Sequence, residues 1–311
     1  MLSLTRADAR QLSNLSSTAI LTVLTKGGTK TSVPTGEVSA VKSVVLDGFD
    51  MIAMSWMPIL RSLGYQLNLS AVFTHGRPHV VSSAGTCELA DLLIVVDDVV
   101  ASTVRDRRAV LVQAKVLKQG QIKLRGREKV QFDLMSVWPS FKFKDATYDT
   151  RSRDFHDPNA PGAPDNAGEY GGIELGGLQR EWTQYLMGSQ YGFTAAHPLG
   201  DYLVQMLEGR NYYGREAIPH GSDDWSFTVD ELMRVTAANF VTKKSAYHRG
   251  NTHQIRFMGV PTSQLQLLTQ ELLAPEYVAG GEGLARPPEA DDETWGEGPL
   301  SVVHLELQTE I

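Results

Sequence analysis

Glu88-Leu89-Ala90-Asp91-Leu92-Leu93-Ile94-Val95-Val96, and after it Ala109-Val110-Leu111-Val112-Gln113-Ala114-Lys115-Val116-Leu117, decide the reading of this chain. The run Leu92 to Val96 is continuously apolar, as expected of a central strand covered on both faces. Ala109 to Leu117 reads as a second apolar strand, interrupted by two polar residues. Side chains alternate along a strand, so Gln113 and Lys115 share one face while Val112, Ala114 and Val116 take the other. An ammonium placed there without a partner loses its hydration and would lower its pKa instead. An adjacent carboxylate or a metal-bound hydroxide would account for it, and Asp91, at the mouth of the preceding strand, is placed to supply the carboxylate. Between the two strands the chain reads as a polar insertion carrying Arg105, Arg107 and Arg108, with Asp97-Asp98 as a solvated strand end.

Upstream, Tyr65 to Phe73 alternates apolar and polar residues, the pattern of a strand buried on one face. Thr74-His75-Gly76-Arg77-Pro78 is a turn, and His79 to Ser82 a short strand leading through Ser83-Ala84-Gly85 towards Leu92. From Val44 to Leu63, Val45, Phe49, Ile52, Trp56, Ile59 and Leu60 recur at helical spacing, with Gly64 as the stop and Pro58 as a kink or break. The first forty residues mix Ser, Thr and Gly, and Ala19 to Leu24 reads as a strand or a helix end. Downstream, Glu128 to Val137 is a helix ending before Pro139. The order helix, strand, strand, strand, helix predicts an α/β core with a mixed sheet flanked by helices over residues 1–150. Residues 154–177 are rich in Asp, Asn, Pro and Gly and read as a loop. Leu178 to Met187 and Val229 to Phe240 read as helices, Arg286 to Pro299 as a second loop, and Ser301 to Leu307 as a strand. Residues 151–311 therefore form a C-terminal α+β extension, a place for a substrate or a partner.

With 311 residues and 42% hydrophobic content the chain can bury a substantial core. No run approaches the roughly 18 apolar residues of a spanning helix. The N-terminus has no charged-then-apolar secretory pattern, so a cytoplasmic location without membrane contact is expected. The single cysteine, Cys87, excludes an internal disulfide and a multi-cysteine zinc cage. Its neighbour Glu88 would raise the thiol pKa and disfavours a nucleophilic role. A net charge of −7 argues against a protein that coats DNA non-specifically. It leaves room for an enzyme with a local basic patch beside an acidic metal site.

Asp91 with Gln113-Ala114-Lys115 resembles the PD-(D/E)xK nuclease superfamily, and within it the variants with glutamine in the third motif, such as the Mrr-type restriction endonucleases. The resemblance covers roughly residues 44–143 and implies a restriction-endonuclease-like fold and a Mg2+-dependent endonuclease, with Mn2+ as a substitute. Asp91, Gln113, Lys115 and Glu88 are then the catalytic set, and Asp91, Glu88 and Gln113 the metal ligands. Hard divalent cations take oxygen ligands, and Gln113 in place of the commoner acid removes one negative charge. The family places a further acid on the helix before the sheet, for which Glu37, Asp47 and Asp50 are candidates. Glu88 ranks ahead of them because it lies three residues before Asp91.

The substrate expected from this resemblance is nucleic acid, DNA favoured over RNA, with restriction or anti-phage defence as the setting by analogy. Arg105, Arg107 and Arg108, with His75 and Arg77 in the turn, are candidate phosphate contacts, against the ordinary fate of such residues as solvated loop charges. Trp138, Phe141 and Phe143 read as core. His248 and His253 lack a zinc signature, and Gly171-Gly172 to Gly176-Gly177 lacks the end of a phosphate loop. The rival reading is a non-catalytic interaction subunit that kept a nuclease-like sheet and binds a protein through its C-terminal half. The pattern does not set the oligomeric state, and a homo-oligomer remains open.

Overall fold

In the computed structural model the described residues are 1–74, 78–156, 166–176, 180–187, 193–242, 254–258 and 299–309. The first element is a helix, α1 (Arg6–Lys26). Thr5 caps it: its hydroxyl accepts the Asp8 N–H at 3.2 Å while the Asp8 carboxylate accepts the Thr5 N–H at 3.3 Å, a reciprocal capping box. Ala19 to Leu24, expected as a strand or a helix end, lies inside this helix. The Ser and Thr residues that blur the pattern are accommodated by returning their hydroxyls to carbonyls one turn back, Ser16 to Leu12 and Thr18 to Asn14 at 2.8 Å, Thr22 to Thr18 at 2.7 Å. Leu12, Ser16, Ala19, Ile20, Val23 and Leu24 form its buried stripe.

A second helical run joins α2 (Glu37–Ser43), a π-helical turn (Val44–Gly48) and α3 (Phe49–Ser62). The helix expected from Val44 is present, starts earlier, and stops before Gly64, whose φ of +81° suits glycine. Glu37–Ser62 is apolar and long enough to cross a membrane by length and composition. Its apolar side instead packs against α1 and the sheet.

The strands are β1 (Tyr65–Phe73), β2 (His79–Ser82), β3 (Gly85–Glu88), β4 (Leu92–Val100) and β5 (Thr103–Val116); after helix α4 (Arg127–Val137) come β6 (Phe141–Phe143), β7 (Gly168–Glu174), β8 (Glu181–Met187) and β9 (Phe193–Pro198). Helix α5 (Leu199–Leu207), β10 (Arg215–Glu216), helix α6 (Asp224–Thr242), β11 (Gln254–Met258) and β12 (Ser301–Thr309) follow. The main sheet is mixed, in the order β11-β1-β12-β4-β5-β7-β8-β9, with β10 beside the first half of β5. β2, β3 and β6 form a separate small sheet. One face of the main sheet is covered by α1, α3 and α5. The other carries a second core that includes Trp138, Phe141, Phe143, Phe155 and Trp225, so the first three aromatics are core as expected.

Three expectations are corrected by the pairing. Residues 154–177, expected as a loop, contain β7, which lies parallel to β5; Leu178 to Met187, expected as a helix, contains β8. Gly171 and Gly172 hide β7 from a propensity reading, yet their bare Cα atoms admit the Trp182 and Tyr185 rings, within 3 Å of where a Cβ would stand. β12 lies between β1 and β4 and β7 beside β5, so residues on both sides of 150 build one sheet.

The arginine-bearing insertion is the third correction. β4 and β5 continue as a hairpin through Ala101-Ser102, both at positive φ, 49° and 64°. Asp97 and Asp98 are therefore fully buried, not a solvated strand end. Arg107 is 1% exposed and grips Asp97 through Nε and Nη2, each at 2.7 Å, and Asp230 of α6 through Nη1 at 2.7 Å. His304 of β12 meets Asp97 through Nε2 at 2.9 Å. Burial works to raise the Asp97 pKa, but His304 and Arg107 outweigh it and hold the carboxyl down to about 2.

Removing one partner of such a network leaves buried charges uncompensated. Arg107→Leu is expected to cost about 3–5 kcal/mol in urea unfolding at neutral pH. An unchanged midpoint would refute the role assigned to Arg107. Because folding holds Asp97 below its ordinary 3.8, its stabilisation is full above that pH and is lost as pH falls towards about 2. The gap between wild type and Asp97→Asn should therefore narrow in acid.

Candidate functional site

The site begins one step beyond β4. The Asp91 N–H donates to the Val112 carbonyl at 3.0 Å, which extends the β4–β5 ladder and sets Asp91 beside Gln113. The Asp91 Oδ2 accepts the Ala114 N–H at 2.8 Å and the side-chain amide of Gln113. Gln113 is fully buried, and its Oε1 accepts from Gln131 of α4. The Gln131 amide also donates to the Glu88 carbonyl at 3.0 Å. A carbonyl can only accept, so Glu88 turns the Gln131 nitrogen inward, Gln131 turns the Gln113 oxygen away from Asp91, and the Gln113 nitrogen is left facing Asp91. Gln113 thus steadies the carboxylate; its oxygen, expected to ligate metal, is engaged by Gln131.

Lys115 stands two residues further along β5 on the same face. Its ammonium is 3.0 Å from Glu37 Oε1 on the first residue of α2 and 3.6 Å from Glu128 Oε1 on the first turn of α4. Burial works to lower the Lys115 pKa, and Glu37, Asp91 and Glu128 together outweigh it, so the pKa is raised. The partner that an inward lysine requires is thus supplied from two helices, with Asp91 adding its field. Asp91, Gln113 and Lys115 come together at one end of β5.

Tyr170 closes the group from β7, where it is the register partner of Gln113. It is fully buried, and its hydroxyl has no hydrogen-bond partner among the described residues. Burial raises its pKa first, and the charges of Cys87, Asp91, Glu128 and Glu37 raise it further. Phe132 and Phe193 pack round its ring, with centroids 6.0 Å and 5.5 Å away. Buried hydroxyls ordinarily find a partner, which makes this one a candidate contact for a bound group.

The remaining expected residues are placed elsewhere. Glu88, ranked first as the further acid, lies in β3 opposite His79, and the carboxylates paired with Lys115 are Glu37 and Glu128 instead. Asp47 is turned to the loop after α1, accepting from Thr31 Oγ1 at 2.7 Å and Thr29 Oγ1 at 3.1 Å. Arg107 is the buried network residue described above. Arg105 pairs with Asp98, and Arg108 donates to the Gly214 carbonyl at 3.1 Å. All three arginines lie towards the far end of β5, Arg107 about 26 Å from Lys115 at the rise of an extended strand. His75 and Arg77, like His248 and His253, lie outside the described residues. The Cys87 thiol is pushed up to about 12, by burial first and then by Glu88, which agrees with an inert cysteine.

Sequence reasoning missed Gln131, Glu128 and Tyr170. Gln131 is the buried polar residue in the first turns of a helix with little amphipathic pattern, and Tyr170 sits in a strand masked by glycines. Neither carries a local signal. Among the described residues no three His, Cys, Asp or Glu side chains form a ready metal cage. Comparison of the chain with family models, curated proteins and solved structures returns no match.

Lys115 separates three carboxylates, so Lys115→Met should destabilise the fold at pH 7.5 by about 1–3 kcal/mol, as for a partly buried ion pair losing one member. Folding holds the Lys115 pKa above its ordinary 10.5, so the stabilisation it gives is full below that pH and is lost as pH rises beyond it, and the deficit should shrink in strong alkali. Urea midpoints at neutral and strongly alkaline pH measure both. A variant as stable as wild type at neutral pH would show that Lys115 does not hold these acids together.

Proposed function

We propose that the chain is a Mg2+-dependent endonuclease that hydrolyses phosphodiester bonds, DNA favoured over RNA, on a restriction-endonuclease-like sheet. One observation carries the reading: Lys115 on β5 beside the Asp91–Gln113 pair, its ammonium held by Glu37 from the helix that precedes the sheet. This is the residue set that cleavage of a phosphodiester needs, an acid pair for a hard cation and a fixed cation beside it. Glu37 takes the place given above to Glu88.

The residues suit a single cation in part. Asp91 and Glu37 supply hard oxygens, and the Tyr170 hydroxyl, without a hydrogen-bond partner among the described residues, offers one more. With Gln113 committed to Asp91, the rest of such a cation's shell falls to substrate phosphate and water. When bound, the metal would polarise the phosphoryl group and acidify a water. Lys115 places positive charge where the phosphate becomes more negative, and its ion pairs fix where that charge stands. The Ala114 N–H and the Gln113 amide keep the Asp91 carboxylate from turning. Tyr170 has a hydroxyl proton to donate to a phosphate or water oxygen, with no partner among the described residues to give up first.

The Gln113 amide, with its oxygen turned from Asp91, is the observation that favours the rival reading of a non-catalytic subunit. Cleavage of supercoiled and linear duplex DNA, single-stranded DNA and RNA with Mg2+ or Mn2+ decides between them. Asp91→Asn and Lys115→Met are each expected to lower cleavage by about 10²–10³-fold. Cleavage that persists in excess chelator would overturn the metal mechanism.

Tyr170→Phe provides a sharper test, because it removes a buried hydroxyl that nothing among the described residues satisfies. Stability should stay level or rise, while kcat falls by about tenfold, the value of one hydrogen bond to a charged group. A variant that keeps full kcat would remove Tyr170 from the mechanism.

A further inference from the structure

From just past β5 into the first turn of α4 the chain runs Lys118-Gln119-Gly120-Gln121-Ile122-Lys123-Leu124-Arg125-Gly126-Arg127-Glu128-Lys129, five cations and one acid in twelve residues of a chain whose net charge is −7. Lys118 and Gln121 close a two-residue turn, the Lys118 N–H donating to the Gln121 carbonyl at 2.9 Å, with Gln119 and Gly120 at φ 57° and 70°. Ile122 and Leu124 then pack onto the core beneath, while Lys123 and Arg125, alternating with them, are exposed. Lys118, Arg127 and Lys129 are exposed too. Among the described residues none of the five cations makes an ion pair.

The one acid of the segment ties this lip to the site. Glu128 Oε2 accepts the Arg125 N–H at 2.7 Å, and its Oε1 stands 3.6 Å from the Lys115 ammonium. The lip therefore begins within the width of one carboxylate of the reacting end of β5. Its charges are also badly placed for the fold alone. Arg127 and Lys129 occupy the first turn of α4, where the helix dipole disfavours cations and like charges crowd together. A bound polyanion would relieve both and would sit at the positive end of that helix.

We propose that the lip from Lys118 to Lys129 is the surface that grips the phosphate backbone of duplex DNA and lays a phosphodiester across Asp91 and Lys115. This rests on the nuclease reading and replaces Arg105, Arg107 and Arg108, which face other partners at the far end of β5. The lip holds the backbone by charge and makes no demand on base sequence. Glu128 fixes the lip's distance from Lys115, which sets which phosphate falls at the site.

The test uses the full chain carrying Asp91→Asn, so that binding is read without cleavage, and a short labelled DNA duplex titrated across a series of NaCl concentrations. Lys123→Glu, Arg125→Glu and Arg127→Glu together are compared with Arg6→Glu, Arg10→Glu and Arg61→Glu, which change net charge equally on exposed helix positions elsewhere. The lip triple should weaken binding by about a hundredfold or more at moderate salt and flatten the slope of log K against log salt by about three, one for each phosphate no longer held. The control should stay within a few fold. A Gln version of the lip triple, milder to the fold, should show a smaller loss of the same kind.

Equal binding by the lip triple and the control, both melting as the parent does, would overturn the proposal. So would a polyglutamate peptide that displaces DNA from the lip as effectively as unlabelled duplex, which would assign the lip to an acidic protein segment. The two readings fail separately. Lip-dependent binding by a wild-type chain that cleaves nothing supports the lip and sinks the nuclease. Cleavage with KM unchanged in the lip triple does the reverse.

Discussion

The antiparallel register of β4 on β5 is the constraint on which the rest of the structure depends. It sets Leu92 opposite Val112 and Asp97 opposite Arg107. Carried one residue past the strand end, the same register sets Asp91 beside Gln113. Arg107, Gln113 and Lys115 are all odd-numbered along one strand and so share a face, and a slip of one residue would turn all three to the opposite core. Buried ion pairs add little net stability compared with apolar packing, but a mispaired Arg107 or Asp97 would be severely penalised. The buried network thus selects the one register in which the polar end of β5 also works. The structural charges and the proposed catalytic charges are two ends of a single alignment.

This explains the odd fate of the arginines. A sequence reading sees Asp97-Asp98 and Arg105, Arg107 and Arg108 as a polar interruption between two apolar strands, because charges are almost never fully buried unless paired. Here Asp97 pairs with the buried Arg107, and Asp98 with Arg105, across a hairpin whose turn, Ala101-Ser102, carries none of the Gly or Asn that usually announce one. The partners Asp230 and His304 come from α6 and β12, more than a hundred residues downstream, and no local window contains them.

Much of the site's skeleton was legible all the same. The helix through Phe49 and Trp56, the strand Tyr65 to Phe73, the apolar run from Leu92 and the interrupted strand through Gln113 and Lys115 follow from periodicity alone. That an inward lysine needs a carboxylate follows from the cost of desolvating an ammonium. Which carboxylate answers does not, because the distance from Glu37 to Lys115 is set by how α2 packs against the end of β5. Nearness in sequence favoured Glu88, yet β3 belongs to the small sheet and leaves Glu88 opposite His79. β7 is hidden for the opposite reason, since Gly171 and Gly172 weaken a strand's signal where the close approach of Trp182 and Tyr185 requires them.

Glu128 shows how the two charged systems are kept apart while being joined. A basic lip next to a lysine would repel it, and an acidic site next to a phosphate would repel the proposed substrate. One carboxylate between them, with one oxygen on the Arg125 N–H and the other towards Lys115, screens both at a cost of a single negative charge. The interaction is also asymmetric. At 3.6 Å Glu128 holds Lys115 more loosely than Glu37 does at 3.0 Å, and it is the more exposed of the two, 36% against 25%. A phosphate entering over the lip would compete with Glu128 first and leave the Glu37 pair to keep Lys115 in place. An ammonium held from one side by the closer Glu37 and more loosely on the other by Glu128 can turn its charge to an incoming anion without losing its position, which a lysine gripped equally by two acids could not do.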